Sequence, residues 1–263
     1  MSSNTTVADL FADAQDQGTL SPAAAQVLDI PDMGAQIQLG LGISVDDVEA
    51  SEVVLVTELI DDSGSIRFIT GNTEAVRAGH NLVLDALGKS KQSAAIITHT
   101  KYLNGHVLFP YVALANAVKM DASNYDPRGG TPLYDQTLVT LGTVLAKAQE
   151  FVGNGVHCRT VTLIVTDGAD QGSRATVRDV AKVVKDLLRA ECHIVAGMGI
   201  DDGVTDFKKV FTDMGIPAEW QLTSNSDPSS IRKAFQVFSQ SAVRASQSAA
   251  SFSKAALGGF GNP

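Results

Sequence analysis

Basic residues, cysteines and long apolar runs are all scarce in this sequence. Its 263 residues contain 20 Lys and Arg against 29 Asp and Glu, which gives a formal net charge of −9. Nucleic acids and anionic membranes are bound by clustered Lys and Arg, so neither is an expected partner. No apolar run is long enough to span a bilayer, and the first residues lack the basic and apolar regions of a secretory signal. We therefore expect a cytoplasmic protein.

Metal sites built on Cys or His are not indicated. Cys158 and Cys192 lack the additional closely spaced ligands that zinc requires. We expect both to be reduced thiols, as in cytosolic proteins. The histidines show no ligand spacing, which favours packing or surface roles: His80, His99, His106, His157 and His193.

The common motifs of nucleotide binding and of serine hydrolysis are incomplete. The segment 197–202, Gly-Met-Gly-Ile-Asp-Asp, has only the first two glycines of a dinucleotide fingerprint and comes late in the chain. Ser63 and Ser65 do not lie in a Gly-x-Ser-x-Gly elbow. The sequence therefore points away from dehydrogenases and serine hydrolases.

Oxygen-bearing side chains follow two apolar runs and occupy one further loop. Asp61, Ser63 and Ser65 directly follow the first run, and Asp167 follows the second. Thr131 lies in a Gly-Gly-Thr-Pro loop between them. Carboxylate and hydroxyl oxygens are suited to a hard divalent cation such as Mg²⁺. Three loops therefore offer one candidate oxygen site.

These segments resemble the von Willebrand factor type A family and its metal-ion-dependent adhesion site. The family pattern is Asp-x-Ser-x-Ser, then a Thr in a Gly-Gly-Thr-Pro-like loop, then an Asp that opens an Asp-Gly turn. All five positions are present here. The resemblance runs from about Glu52 to about Ser248, and it is to the intracellular prokaryotic members of the family.

The resemblance implies a Mg²⁺ site, with Mn²⁺ or Ca²⁺ as alternatives, in which the three hydroxyls bind the ion directly or through water. The two carboxylates are expected to act more through water and hydrogen bonds. Such a site leaves the octahedral shell incomplete, so an exposed Asp or Glu of a partner protein can replace a water. The implied function is a metal-dependent protein–protein interaction module, working beside an ATPase or within a stress or defence system. The implied ligands are Asp61, Ser63, Ser65, Thr131 and Asp167.

From residue 52 onward, short apolar runs alternate with helical patterns. This order predicts an α/β fold: a doubly wound, Rossmann-like, mostly parallel six-stranded sheet with helices on both faces. Asn104-Gly105 predicts a hairpin, so the following strand should pair antiparallel at an edge. Thr131-Pro132 predicts a helix start, with Thr131 as N-cap. The predicted strands cover 53–60, 94–102, 106–109, 161–166, 193–198 and 219–222.

Two extensions flank this unit. We divide the chain into an N-terminal extension that packs on the core (1–50), the family-like domain (51–248) and a Ser/Ala/Gly-rich tail (249–263). Within the first, a helical pattern covers 7–14, and an apolar alternation at 37–43 predicts an added edge strand. The tail is either flexible or orders on a partner.

Three acidic residues near the site have other interpretations. Glu58 falls in the central buried strand, so we expect a Lys or Arg partner from a covering helix. We interpret Asp135 as a carboxylate in the first turn of a helix, where the helix dipole favours negative charge. We interpret Asp170 as a loop residue near the site.

Two alternatives to the interaction module stay open at this point. In the first, a metal-dependent phosphohydrolase uses Asp61 as nucleophile. Haloacid-dehalogenase-like enzymes need a second Asp two residues later, and that position is Ser63 here. In the second, the chain is a scaffold that acts through its extensions, and the metal is purely structural.

Overall fold

A six-stranded sheet lies at the centre of the structure, a computed structural model that describes residues 5–29, 32–247 and 259–260. In space the strands are ordered β3-β2-β1-β4-β5-β6. The pairing of β2 with β3 is antiparallel and the other four pairings are parallel. The bounds are β1 Glu52–Ile60, β2 Ile96–Tyr102, β3 Val107–Ala113, β4 His157–Thr166, β5 His193–Ile200 and β6 Gln221–Ser224.

The predicted fold class is confirmed. Strands β1, β4 and β5 are buried along almost their whole length, as expected for parallel strands covered on both faces. The predicted hairpin is also present: Gly105 has a φ of 91°, and the Tyr102 amide donates to the His106 carbonyl across the turn. Strand β3 is therefore the antiparallel edge.

Helices cover the two faces of the sheet. On β1, the Glu58 side chain meets α4, whereas Val53 and Leu55 pack with Phe151 of α5 on the opposite face. Helix α4 packs against α8, and α5 packs against α1, α3 and α6. The helices are α1 Val7–Asp16, α2 Pro22–Leu28, α3 Met33–Leu41, α4 Asn72–Gly88, α5 Leu133–Gly153, α6 Val177–Arg189, α7 Phe207–Asp213 and α8 Pro228–Gln247.

The edge strand predicted at 37–43 is wrong, because residues 37–41 form the second half of helix α3, which ends at Leu41. Met33, Ile37 and Leu41 recur at helical spacing and are all buried. Gly40 brings α3 into close contact with α5, since a Cβ there would lie 2.6 Å from the Thr143 methyl. The alternation read as a strand is thus part of a helical stripe that packs on α5.

The expected partner of Glu58 is also different from the prediction. Glu58 is fully buried, but its partner is His80 of α4, whose Nδ1 lies 2.6 Å from the carboxylate, and not a Lys or Arg. The Nε2 of His80 contacts the Val118 carbonyl. Burial lowers the pKa of His80, but the charge and hydrogen bond of Glu58 outweigh this effect and raise it. The buried carboxylate is therefore paired across the sheet–helix interface.

The last residues of the chain fall mostly outside the described part. Of the predicted tail at 249–263, the structure describes Gly259 and Phe260. The Phe260 ring lies edge-on to Trp220, with centroids 5.5 Å apart, and its amide donates to the Glu219 carbonyl. The boundaries proposed at residues 50 and 248 stay predictions. In the described ranges, every helix is too short or too polar to cross a membrane.

Candidate metal centre

Asp61 begins the candidate site at the carboxyl end of β1. Its side chain is fully buried, and its backbone amide donates to the Val165 carbonyl of β4. One carboxylate oxygen accepts the Ser63 amide at 2.7 Å. The other accepts the Thr166 hydroxyl at 2.9 Å and the Asp167 amide at 3.0 Å. The Asp61 carboxylate thus joins the loops that follow β1 and β4.

Two serine hydroxyls and Asp167 converge beside this junction. The Oγ atoms of Ser63 and Ser65 are 2.9 Å apart. Both donate to the same oxygen of Asp167, at 3.0 and 2.8 Å respectively. Ser63 and Asp167 are buried and Ser65 is half-buried. Residues more than 100 positions apart in sequence are therefore brought together as predicted.

Thr131 is positioned by backbone hydrogen bonds on both sides of its loop. Gly129 exchanges hydrogen bonds with the loop after β1, accepting the Gly64 amide and donating to the Asp62 carbonyl. The Thr131 carbonyl accepts the Gln171 amide at 2.7 Å. Its hydroxyl forms no hydrogen bond with any residue that the structure describes. Thr131 thus lies between the other two loops with its hydroxyl uncommitted.

The prediction that Thr131 caps a helix is wrong by one residue. Helix α5 starts at Leu133, with Pro132 at the cap position and without a side-chain cap of its own. Its first turn is capped from another loop, because the Tyr134 amide donates to Asp170 and the Asp135 amide donates to the Ser173 hydroxyl. The Thr131 hydroxyl is consequently free of the capping role that the sequence assigned to it.

Asp135 and Asp170 hold this side of the site together. Asp135 lies in the first turn of α5 and accepts the amides of Arg174 and Ala175. Asp170 accepts both the Tyr134 amide and the Ser173 hydroxyl. The two carboxylates therefore fasten the loop after β4 to the start of α5, which is a structural role.

Tyr125 supports the site from a segment that the sequence analysis missed. Its hydroxyl donates to the Asp61 carbonyl at 2.6 Å, and the side chain is buried. Arg77 of α4 binds the Tyr125 carbonyl through two guanidinium nitrogens. A lone Tyr 64 positions from its acceptor gives no sequence signal. This contact fixes the backbone from which Asp61 projects.

The electrostatics of the site favour a bound cation. Burial, followed by the charge of Asp61, raises the pKa of Asp167 to about 7, although the serine hydrogen bonds act in the opposite direction. Burial also raises the pKa of Asp62 to about 6. Burying the charged carboxylates of Asp61 and Asp167 side by side costs free energy unless a cation offsets their charge.

The donor set fits a hard divalent ion. It combines two carboxylates with three hydroxyls, whose oxygens suit Mg²⁺, Mn²⁺ or Ca²⁺ better than softer metals. In the described part of the chain, no group of three or more His, Cys, Asp or Glu side chains could hold a metal ion by itself. A metal held at this centre would therefore depend on the serine and threonine hydroxyls as much as on the carboxylates.

Comparison with known proteins gives structural neighbours only. No family model and no curated protein matches the chain. The pilus adhesin SpaC from Lactobacillus rhamnosus GG matches in its open conformation, with a TM-score of 0.53 and 13% sequence identity over 73% of this chain. A second SpaC structure gives a TM-score of 0.55 at 12% identity over 73% of this chain. Proximal thread matrix protein 1 from the mussel byssus gives 0.50 at 16% identity over 74% of this chain.

The neighbours are consistent with the fold described above, a mostly parallel six-stranded sheet with one antiparallel edge strand and flanking helices. The chain has the von Willebrand factor type A fold. It spans 30% and 31% of the two SpaC chains and 47% of the mussel protein. At these identities the likeness establishes the fold, and any function has to be argued from the site itself.

Proposed function

We propose that this chain is a metal-dependent protein-interaction module. In this proposal a divalent cation is held by Asp61, Ser63, Ser65, Thr131 and Asp167, and a carboxylate of a partner protein completes its coordination. One neighbour in fold is a pilus adhesin. That neighbour agrees with a binding role, but its identity is too low to carry more than the fold.

The observation that carries the proposal is the shared contact of Ser63 and Ser65 with one oxygen of Asp167. The three oxygens lie within 3.0 Å of one another, although they come from two loops. In an ordinary polar turn the hydroxyls form their hydrogen bonds within the turn, and a carboxylate from a neighbouring loop is not needed. The uncommitted Thr131 hydroxyl on the third loop adds a further oxygen donor.

The chemistry of Mg²⁺ explains why a partner would be recruited. The ion prefers octahedral coordination by oxygen, and protein sites commonly leave several positions to water. Both carboxylate oxygens of Asp61 already accept hydrogen bonds within the protein. The protein therefore supplies few charged ligands to the ion itself. An incoming Asp or Glu would replace a water and supply a directly bound carboxylate. Mg²⁺ is the proposed ion, with Mn²⁺ or Ca²⁺ as alternatives.

The geometry of Asp61 supports a non-enzymatic role. A nucleophilic aspartate has to present one carboxylate oxygen to the phosphorus atom of its substrate. Here the Asp61 side chain is fully buried, and both of its oxygens accept hydrogen bonds from the surrounding loops. The second aspartate expected of such enzymes is replaced by Ser63. These features favour binding over phosphoryl transfer.

A cytoplasmic location and a place beside a ring-forming ATPase extend the proposal. Both rest on the sequence resemblance to the intracellular prokaryotic members of the family. The acidic net charge of −9 agrees with a basic or neutral partner surface.

Affinity capture from the native lysate tests the proposal. Wild type and Thr131→Val are each immobilised and exposed to lysate in Mg²⁺ and in EDTA, and retained proteins are identified by mass spectrometry. Thr131→Ser is the matched control, because it keeps the hydroxyl. A protein retained in Mg²⁺ by wild type and Thr131→Ser, but not by Thr131→Val or in EDTA, supports the proposal. Identical captures in every arm would contradict it and move the function to the extensions.

A further inference from the structure

We infer that the partner segment carries a large apolar side chain next to its metal-binding carboxylate, and no second acidic residue. This inference rests on the proposed function and adds the chemistry of the partner. It is based on a groove of about 380 Å³ that begins at the metal centre. Ser65 and Asp167 form one end of the groove, and Phe68, Ile69 and Gly203 lie along its walls.

Exposed hydrophobic residues lie in the lining of this groove and directly next to it in the chain. Phe68 is 85% exposed and Val204, the neighbour of Gly203, is 91% exposed. They are the two most exposed large hydrophobic residues in the described part of the chain. Ile69 beside Phe68 is also exposed. Isolated exposed hydrophobics are common on protein surfaces, but a group of them around a candidate ligand site indicates an interaction surface.

Hydrogen bonds order the chain next to both exposed side chains. On one side, the Asp202 carboxylate accepts the amides of Val204 and Thr205 and the Thr205 hydroxyl. On the other side, the Asn72 amide donates to the Ile69 carbonyl, and the Asn72 side chain donates to Ser226. Ser226 itself lines the groove. Because these loops are already ordered, little conformational entropy is lost when a partner covers them.

Charge in the groove restricts what can lie beside the apolar side chain. A divalent ion offsets the carboxylates of Asp61 and Asp167. The remaining wall contains Asp201 and Asp202, and among the residues that the structure describes no Lys or Arg lines this groove. The metal end therefore attracts one carboxylate, whereas the far wall repels a second. An acidic residue with a large apolar neighbour, flanked by neutral or basic residues, matches this distribution.

Selection of phage-displayed random peptides on the immobilised protein tests the inference. Selection is carried out in Mg²⁺ and bound phage are eluted with EDTA. We expect the enriched sequences to contain one Asp or Glu with Phe, Leu, Ile or Val within two positions. An enriched peptide is then synthesised and its affinity measured for wild type and for the double variant Phe68→Ser, Val204→Ser.

The double variant should bind the peptide at least about tenfold more weakly, because the apolar contact is lost, while its Mg²⁺ affinity stays unchanged. Leu39→Ser is the matched control: Leu39 is an exposed apolar residue, 66% accessible, on α3 and outside the groove. It should bind the peptide like wild type. Acidic enrichment without an apolar neighbour, or unchanged binding by the double variant, would overturn the inference. Failure of EDTA to elute any acidic peptide would instead count against the proposed function.

Discussion

Replacing Thr131 with Val separates metal binding from folding at this site. The Thr131 hydroxyl has no hydrogen-bond partner among the residues that the structure describes, so its removal breaks no internal contact. Val keeps the branched shape of the side chain. Without metal, the free energy of unfolding of the variant should lie within about 0.5 kcal/mol of the wild-type value, because no hydrogen-bond partner of the hydroxyl is left unsatisfied.

The effect should appear when metal is added. At a Mg²⁺ concentration one hundred times its Kd, a bound ion stabilises the fold by about 2.7 kcal/mol. For a domain of this size that corresponds to a rise in Tm of about 5–10 °C. A tenfold loss of affinity on removal of the hydroxyl reduces the stabilisation to about 1.4 kcal/mol, or about 3–6 °C.

Thermal unfolding followed by circular dichroism, in EDTA and across a Mg²⁺ titration, measures both quantities. Thr131→Ser keeps the hydroxyl and should retain most of the metal-dependent rise. Equal Mg²⁺-dependent rises in wild type and Thr131→Val would refute the assignment of Thr131 as a ligand. A large loss of stability in EDTA would show that the hydroxyl has a structural partner after all.

Three further changes test the surrounding structure. Asp61→Ala removes the acceptor of three buried hydrogen bonds. In urea titrations with EDTA it should lower the free energy of unfolding by about 2–4 kcal/mol. A variant as stable as wild type would contradict this hydrogen-bond network. Lys101 has no hydrogen-bond partner among the described residues, and burial lowers its pKa from 10.5 to about 7. Between about pH 7 and 10.5 the unfolded chain keeps the Lys101 proton that the folded chain has lost, so the free energy of unfolding of wild type should rise with pH. Lys101→Met should increase the free energy of unfolding at pH 7 by about 2–4 kcal/mol and make it less dependent on pH. Gly79→Ala should lower the free energy of unfolding by about 1–3 kcal/mol, because its Cβ would lie 2.1 Å from the Phe235 ring of α8. Gly88→Ala in the same helix has open space around it and should be neutral or stabilising. Equal melting temperatures for the two variants would contradict this packing.

The strands and the site loops could be predicted because their signals are local. A run such as 53–60 is apolar throughout, which parallel strands require, and its carboxyl end places Asp61 on a loop. The same logic places Asp167 after β4. Since β1 and β4 are neighbours in the sheet, the two loops meet. The convergence of Asp61, Ser63, Ser65 and Asp167 follows from these elements together.

The failures concern contacts between distant segments. The alternation at 37–43 fits both a strand and a helical stripe, and the packing of Gly40 on α5 decides between them. Burial of Glu58 implied a cationic partner, but which α4 residue faces it depends on how the helix crosses the sheet, and that residue is His80. The cap of α5 comes from Asp170 on another loop, which the local Thr-Pro signal cannot reveal.

The exposed groove was likewise beyond the sequence. Phe68 and Val204 are ordinary apolar residues in the sequence. Only the fold shows that both are exposed, with Phe68 in the groove and Val204 next to the groove residue Gly203. Exposure depends on what the neighbouring loops leave uncovered, so it is decided by tertiary structure.

The most direct test of the central claim is a Mn²⁺ titration of the metal-free protein, followed by the relaxation of water protons. Mn²⁺ accepts the same oxygen ligands as Mg²⁺ and reports exchangeable water in its coordination shell. We predict one bound ion per chain with rapidly exchanging water, a loss of relaxation enhancement when an acidic peptide is added, and weakened binding in Thr131→Val. Absence of specific binding, or a bound ion whose water is not displaced by a carboxylate, would contradict the account.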